Sequence, residues 1–88
     1  MVRLFNIAIF YHGKYLWAKV VEHHHSPSTF HITFRDHSEV DVPAVIILDT
    51  KNSKLVPGGD SQQTKAEVLT LVILEIEEHF KHNYLSLR

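Results

Sequence analysis

A short turn between two β-rich runs constrains the fold of this chain more than any other feature of its sequence. Residues 3–11 and 15–23 are rich in β-branched and aromatic residues, and the break between them contains His12 and Gly13. A glycine at such a break is typical of a two-residue hairpin turn, because it supplies the positive φ that this turn requires. The sequence therefore predicts an antiparallel hairpin in a fixed register.

That register sorts the hairpin side chains onto two faces, because successive residues of a strand point in opposite directions. Pairing Phe10 with Tyr15 places Trp17 on the same side, and we call this side of the sheet the aromatic face. The opposite side, the predicted core face, receives only apolar residues: Phe5, Ile7, Ile9, Leu16, Ala18 and Val20.

Two further strands are predicted, over about residues 28–35 and 39–48. A tight connection between them pairs Ile32 with Val42, which sends the apolar residues of both strands to one side. Pro43 either ends the last strand or bends it, because proline donates no ladder hydrogen bond. The prediction is therefore an antiparallel meander of four to five strands.

The hydrophobic period becomes helical near residue 60. Two capping patterns compete for the start, one at Asp60 and one at Thr64. The predicted helix covers about residues 61–82. Its apolar stripe is formed by Leu69, Val72, Ile73, Ile76 and Phe80, with Val68 and Ala66 at the margins. We therefore predict a single α+β domain over residues 1–88, in which one long C-terminal helix packs on one face of the sheet.

Composition excludes several classes of protein. The chain has 88 residues, 44% of them hydrophobic, which argues against disorder and leaves room for one domain. It has no cysteine, so disulfides and thiolate metal sites are excluded. The sequence shows neither a signal-peptide cleavage pattern nor an apolar run of about 18 residues, so we expect a cytoplasmic protein that has no membrane partner.

A single helix covers only one face of a sheet, so the aromatic face is the predicted contact surface. Phe10, Tyr15 and Trp17 are its expected anchors, since exposed aromatic clusters usually mark contacts. Leu71 and Leu74 lie off the predicted helix stripe and are expected to be exposed as well. These residues predict a homo-oligomer or a protein partner. The alternative is that residues 44–56 fold over the aromatic face and bury it.

The chain contains eight histidines, and three of them are candidate metal ligands. His23 and His25 follow the second strand on the aromatic face, and His31 lies across from His23 or one diagonal away. Neutral imidazoles suit zinc, nickel or copper. The alternative is that these are ordinary surface histidines, since no recognised ligand spacing surrounds them.

Neither catalysis nor a cofactor is predicted. The serines fall in turns, at a cap or in the C-terminal tail, and the adjacent Asp36, His37 and Ser38 cannot stack as a triad must. Single-stranded nucleic acid is a further candidate partner, because the aromatic residues can stack bases and have Lys14, Lys19 and Arg35 near them. The net charge of −1 argues against strong binding, which ranks this alternative below a protein partner.

Overall fold

Five antiparallel strands form a curled sheet, and one C-terminal helix packs on it. The computed structural model describes residues 2–23, 28–35, 42–52 and 54–86. The elements are β1 (Val2–Tyr11), β2 (Lys14–His23), β3 (Thr29–Phe34), β4 (Val45–Lys51), β5 (Lys54–Pro57), a 3₁₀ helix (Gly59–Gln63) and α1 (Ala66–Ser86). The strands lie in chain order across the sheet, so β1 and β5 are its two edges. The predicted α+β meander with a C-terminal helix is confirmed.

The β1–β2 hairpin has the predicted register. Ile9 pairs with Leu16, and Phe10 pairs with Tyr15. Both turn residues have positive φ, 51° at His12 and 76° at Gly13. This is the backbone of a type I′ turn, whose twist matches that of the two strands.

The predicted pairing of β3 with the following strand is wrong. Ile32 pairs with Ile46 rather than with Val42. The pairing extends past Val45, the first residue of β4, because the Phe34 N–H donates to the Ala44 carbonyl at 2.9 Å. The connection is therefore longer than the tight turn on which the prediction depended, and residues 39–41 of the predicted strand lie outside the described residues.

The core lies between the sheet and α1. Its helix side is centred on Val68, Val72 and Ile76, which are fully buried. Leu69, Ile73 and Phe80 of the predicted stripe are only partly buried and flank this centre. The helix is therefore rotated toward Val68 relative to the prediction.

The helix begins at Ala66, later than predicted, because residues Gly59–Gln63 form a 3₁₀ helix instead. This short helix is attached to β4. Ser61 is buried, and its Oγ accepts a hydrogen bond from the Ile47 N–H at 2.7 Å. The Gly58 N–H donates to the Ile47 carbonyl at 2.9 Å. The segment between β5 and α1 thus completes the ladder of β4 where β5 ends.

Candidate functional site

The aromatic face carries three exposed aromatic side chains, as the register predicts. Phe10 is 56% exposed, Tyr15 is 70% exposed and Trp17 is 54% exposed. The rings of Phe10 and Tyr15 meet edge to face, with centroids 4.9 Å apart. This geometry is favourable for an aromatic pair, so the two rings form a preorganised apolar surface beside Trp17.

The strands that follow β3 leave this surface open. β4 and β5 continue the sheet sideways on the far side of β3, so they do not fold over Trp17. Two more apolar side chains are exposed on the aromatic face: Leu4, at 59%, and Val45, at 46%. The alternative in which residues 44–56 bury the aromatic face is therefore wrong.

A groove of about 430 Å³ lies beside Trp17. Its lining joins β1, β2 and the end of β3, and consists of Asn6, Trp17, Ala18, Lys19, Thr33 and Arg35. Lys19 and Arg35 are the charged members of this lining, and both are exposed. The groove therefore presents an aromatic wall and positive charge to a ligand.

The structure does not bring the helix leucines to the aromatic trio. α1 packs on the opposite side of the sheet, where Val68, Val72 and Ile76 are buried. Leu71 is half-buried and packs against the core, so the expectation that it is exposed is wrong. Leu74 is 52% exposed, but on the other side of the molecule from Trp17.

Two of the three predicted metal ligands lie close together. The rings of His23 and His31 have centroids 4.8 Å apart and are tilted by 59°. His31 pairs with Val21 in the ladder, which places it diagonally from His23. His25 lies outside the described residues, among which no group of three metal-ligating side chains occurs. The structure thus brings together two imidazoles.

A charged cluster that we did not predict lies at the start of β1 on the core face. Glu22 is 6% exposed, and its Oε1 lies 3.1 Å from the Arg3 Nε. Arg3 also lies over the Phe80 ring, 5.2 Å from its centroid. The hairpin register pairs Arg3 with Glu22, so the sequence contained the signal for this ion pair. A buried carboxylate requires such a partner, because desolvation would otherwise make its charge costly.

His79 connects this cluster to the helix. Its imidazole stacks on the Phe5 ring, with centroids 3.8 Å apart and planes 5° from parallel. Burial, and secondarily the nearby Arg3 charge, hold the pKa of His79 below its ordinary value of 6.5. The neutral imidazole therefore predominates at neutral pH and fits the apolar stack.

Comparisons with protein families, with curated proteins and with solved structures give no match. No helix in the described part of the chain has an apolar run long enough to cross a bilayer. Function is therefore inferred from the residues of the aromatic face and their surroundings.

Proposed function

We propose that this protein is an interaction module that self-associates through its aromatic face, with Phe10, Tyr15 and Trp17 as the contact residues. The observation that carries the proposal is the exposure of all three rings on the side of the sheet opposite α1. Sheets commonly pack face to face at about 10 Å, with their apolar side chains interdigitated. A second copy supplies such a face, and symmetry then places each trio in contact with its counterpart.

The exposed area of Trp17 sets the expected strength of the contact. A buried tryptophan removes about 150–250 Å² from water, and 54% of this side chain is still exposed. Burying the remaining area, about 100 Å², contributes about 2.5 kcal/mol in each protomer. A symmetric dimer contains two such residues, so losing both removes about 5 kcal/mol and should weaken association about 4,000-fold.

The test measures oligomeric state by sedimentation equilibrium for the wild type and two matched variants. Trp17→Ala removes the central anchor. Leu74→Ala removes a side chain of similar exposure from the opposite side of the molecule. We expect a dimer for the wild type and for Leu74→Ala, and a monomer for Trp17→Ala. A monomeric wild type refutes self-association. A monomeric Leu74→Ala together with a dimeric Trp17→Ala means that the interface lies on α1 and not on the aromatic face.

The groove beside Trp17 favours a second candidate function, which is binding of single-stranded nucleic acid. Stacking on an aromatic side chain combined with nearby positive charge is the usual mode of such binding, and Lys19 and Arg35 supply that charge. Salt-sensitive quenching of Trp17 fluorescence by a thymidine oligonucleotide supports this candidate if Lys19→Gln reduces it. Unchanged fluorescence at low salt removes the candidate.

A further inference from the structure

The outer edge of β1 is long and lacks the usual protection against strand pairing. β1 has ten residues, no proline and Arg3 as its one charged residue. Within the described residues, no backbone hydrogen bond reaches its outer side. Free edges of this kind pair with other strands unless charge, proline or a covering element prevents it.

The opposite edge shows the protection that β1 lacks. β5 has only four residues and ends at Pro57. Lys51 and Lys54 form the last pair of its ladder and are both exposed. Short length, lysine and proline are common means of blocking an edge. The sheet therefore has one blocked edge and one available edge.

The hairpin geometry determines which groups of β1 face outward. The residues that flank a two-residue turn exchange both hydrogen bonds, so Tyr11 and every second residue before it direct their backbone toward β2. Between Arg3 and Tyr11, the N–H and C=O groups that point away from the sheet belong to Leu4, Asn6, Ala8 and Phe10. The side chains of these four residues lie on the aromatic face.

A groove of about 450 Å³ lies between this edge and α1. Its lining comprises Asn6, Ile7 and Ala8 from β1, and Glu75, Glu78 and His79 from α1. Both glutamates are exposed, and the third helix residue is a predominantly neutral histidine. A strand added to β1 would therefore run past two carboxylates on its core-face side.

We propose that β1 accepts an extended peptide segment of another protein as an added antiparallel strand. The peptide residues that face the groove are basic, because Glu75 and Glu78 line it. The alternate residues are apolar, because they lie on the aromatic face next to Leu4 and Phe10, which are both more than half exposed. Backbone hydrogen bonds provide affinity and the alternating side chains provide specificity, as in other complexes formed by strand addition. This site adjoins the aromatic trio contact and shares Phe10 with it, but its hydrogen-bonding groups belong to the backbone of β1.

A second copy of this chain fits the edge less well than a basic peptide. Its own β1 would present Phe5, Ile7 and Ile9 toward the groove instead of basic residues. The two-fold symmetry would also bring Glu75 and Glu78 of both helices to one seam, where like charges repel.

The test uses fluorescence anisotropy with a labelled nine-residue peptide in which valine and lysine alternate, beginning with valine. In antiparallel pairing the valines exchange hydrogen bonds with β1 and the lysines face the groove. We expect binding that weakens at least tenfold when glutamate replaces lysine. N-methylation of the valines should abolish binding, whereas N-methylation of the lysines should leave it within threefold.

Protein variants separate the edge from general charge attraction. Glu75→Gln combined with Glu78→Gln should weaken binding about tenfold, whereas Glu77→Gln, on another side of α1, should not change it. Ala8→Pro should abolish binding, since it removes an outward N–H without breaking a bond to β2. Circular dichroism checks that this variant folds. If it does not fold, the two N-methylated peptides still test whether the peptide binds through backbone hydrogen bonds to β1.

Three results overturn the proposal: no binding at millimolar peptide, equal binding of both N-methylated peptides, or full peptide affinity in a folded Ala8→Pro variant. Trp17→Ala should keep peptide affinity within threefold, so the outcome at the edge is independent of the outcome at the aromatic face.

Discussion

Replacing Ser61 with alanine tests how the sheet is completed where β5 ends. Extending the β4–β5 register places Gly58 opposite Ile47. The Gly58 N–H makes one of the two expected bonds, to the Ile47 carbonyl, but the Gly58 carbonyl accepts from the Ser61 N–H at 3.1 Å. The Ile47 N–H therefore depends on the Ser61 hydroxyl, 2.7 Å away.

The structure sets the size of the effect. Ser61 is only 6% exposed, so Ser61→Ala leaves the Ile47 N–H without an acceptor in a place that water does not readily reach. A buried donor left unsatisfied costs about 1–3 kcal/mol of unfolding free energy. For a domain of this size, a loss of about 2 kcal/mol lowers the Tm by about 8–16 °C.

Two measurements check this prediction. Thermal unfolding gives the global loss, and hydrogen exchange of the Ile47 amide gives the local one, since that amide should exchange much faster in Ser61→Ala. Ser61→Thr keeps the hydroxyl and should retain most of the protection. Gln62→Ala, at an exposed position of the same 3₁₀ helix, should change little. Unchanged protection of Ile47 in Ser61→Ala, with a Tm within a few degrees of wild type, refutes the assignment of the hydroxyl as the acceptor.

Substitutions at the hairpin turn and at the histidines test three more features of the structure. Gly13→Ala should lower the unfolding free energy measured in urea by about 1–2 kcal/mol, because Gly13 has φ 76°. Gly13→Asn should lower it less, since asparagine tolerates this conformation better than alanine. Equal losses of unfolding free energy in the two variants contradict the role given to the positive φ. His79→Phe keeps a ring on Phe5 but removes a group whose folded-state pKa is lowered. As pH falls through 6.5, the unfolded chain binds a proton at His79 before the folded chain does, so wild type should lose stability relative to His79→Phe. A difference in unfolding free energy between the two proteins that does not change with pH contradicts the lowered pKa of His79. Zinc added to protein purified without nickel should shift the NMR signals of His23 and His31 together. His31→Ala should abolish the shift at His23. A response limited to other histidines excludes His23 and His31 as a zinc site.

The two strand pairings show what sequence can and cannot determine. The β1–β2 register was predictable because the glycine turn fixes one pair, and every other pair follows from it. No such turn fixes β3 to β4. The predicted pairing of Ile32 with Val42 and the observed pairing with Ile46 differ by a shift of four residues. Because this shift is an even number of residues, the same side chains reach the core face in both pairings. Alternation therefore identifies faces, but it does not distinguish registers that differ by an even number of residues.

The candidate surfaces were predictable to different degrees for a related reason. The aromatic face follows from the hairpin register alone, so Phe10, Tyr15 and Trp17 lie where the sequence placed them. The exposure of Leu71 depends on the rotation of α1 about its axis, which a broad apolar stripe does not fix. The groove along β1 depends on which edge the helix lies beside, and that is a tertiary property without a local sequence signal.

The order of the strands also bears on how fast the chain folds. Each strand pairs with the next strand along the chain, so the sheet can grow by successive local pairings that need little loop closure. The helix is different, because it lies closest to β1, and the stacked pair of Phe5 and His79 joins opposite ends of the sequence. We expect this late closure to be absent from the folding transition state. Substitutions in the Phe5 stack should then speed unfolding and leave the folding rate almost unchanged, whereas substitutions in the first hairpin should slow folding.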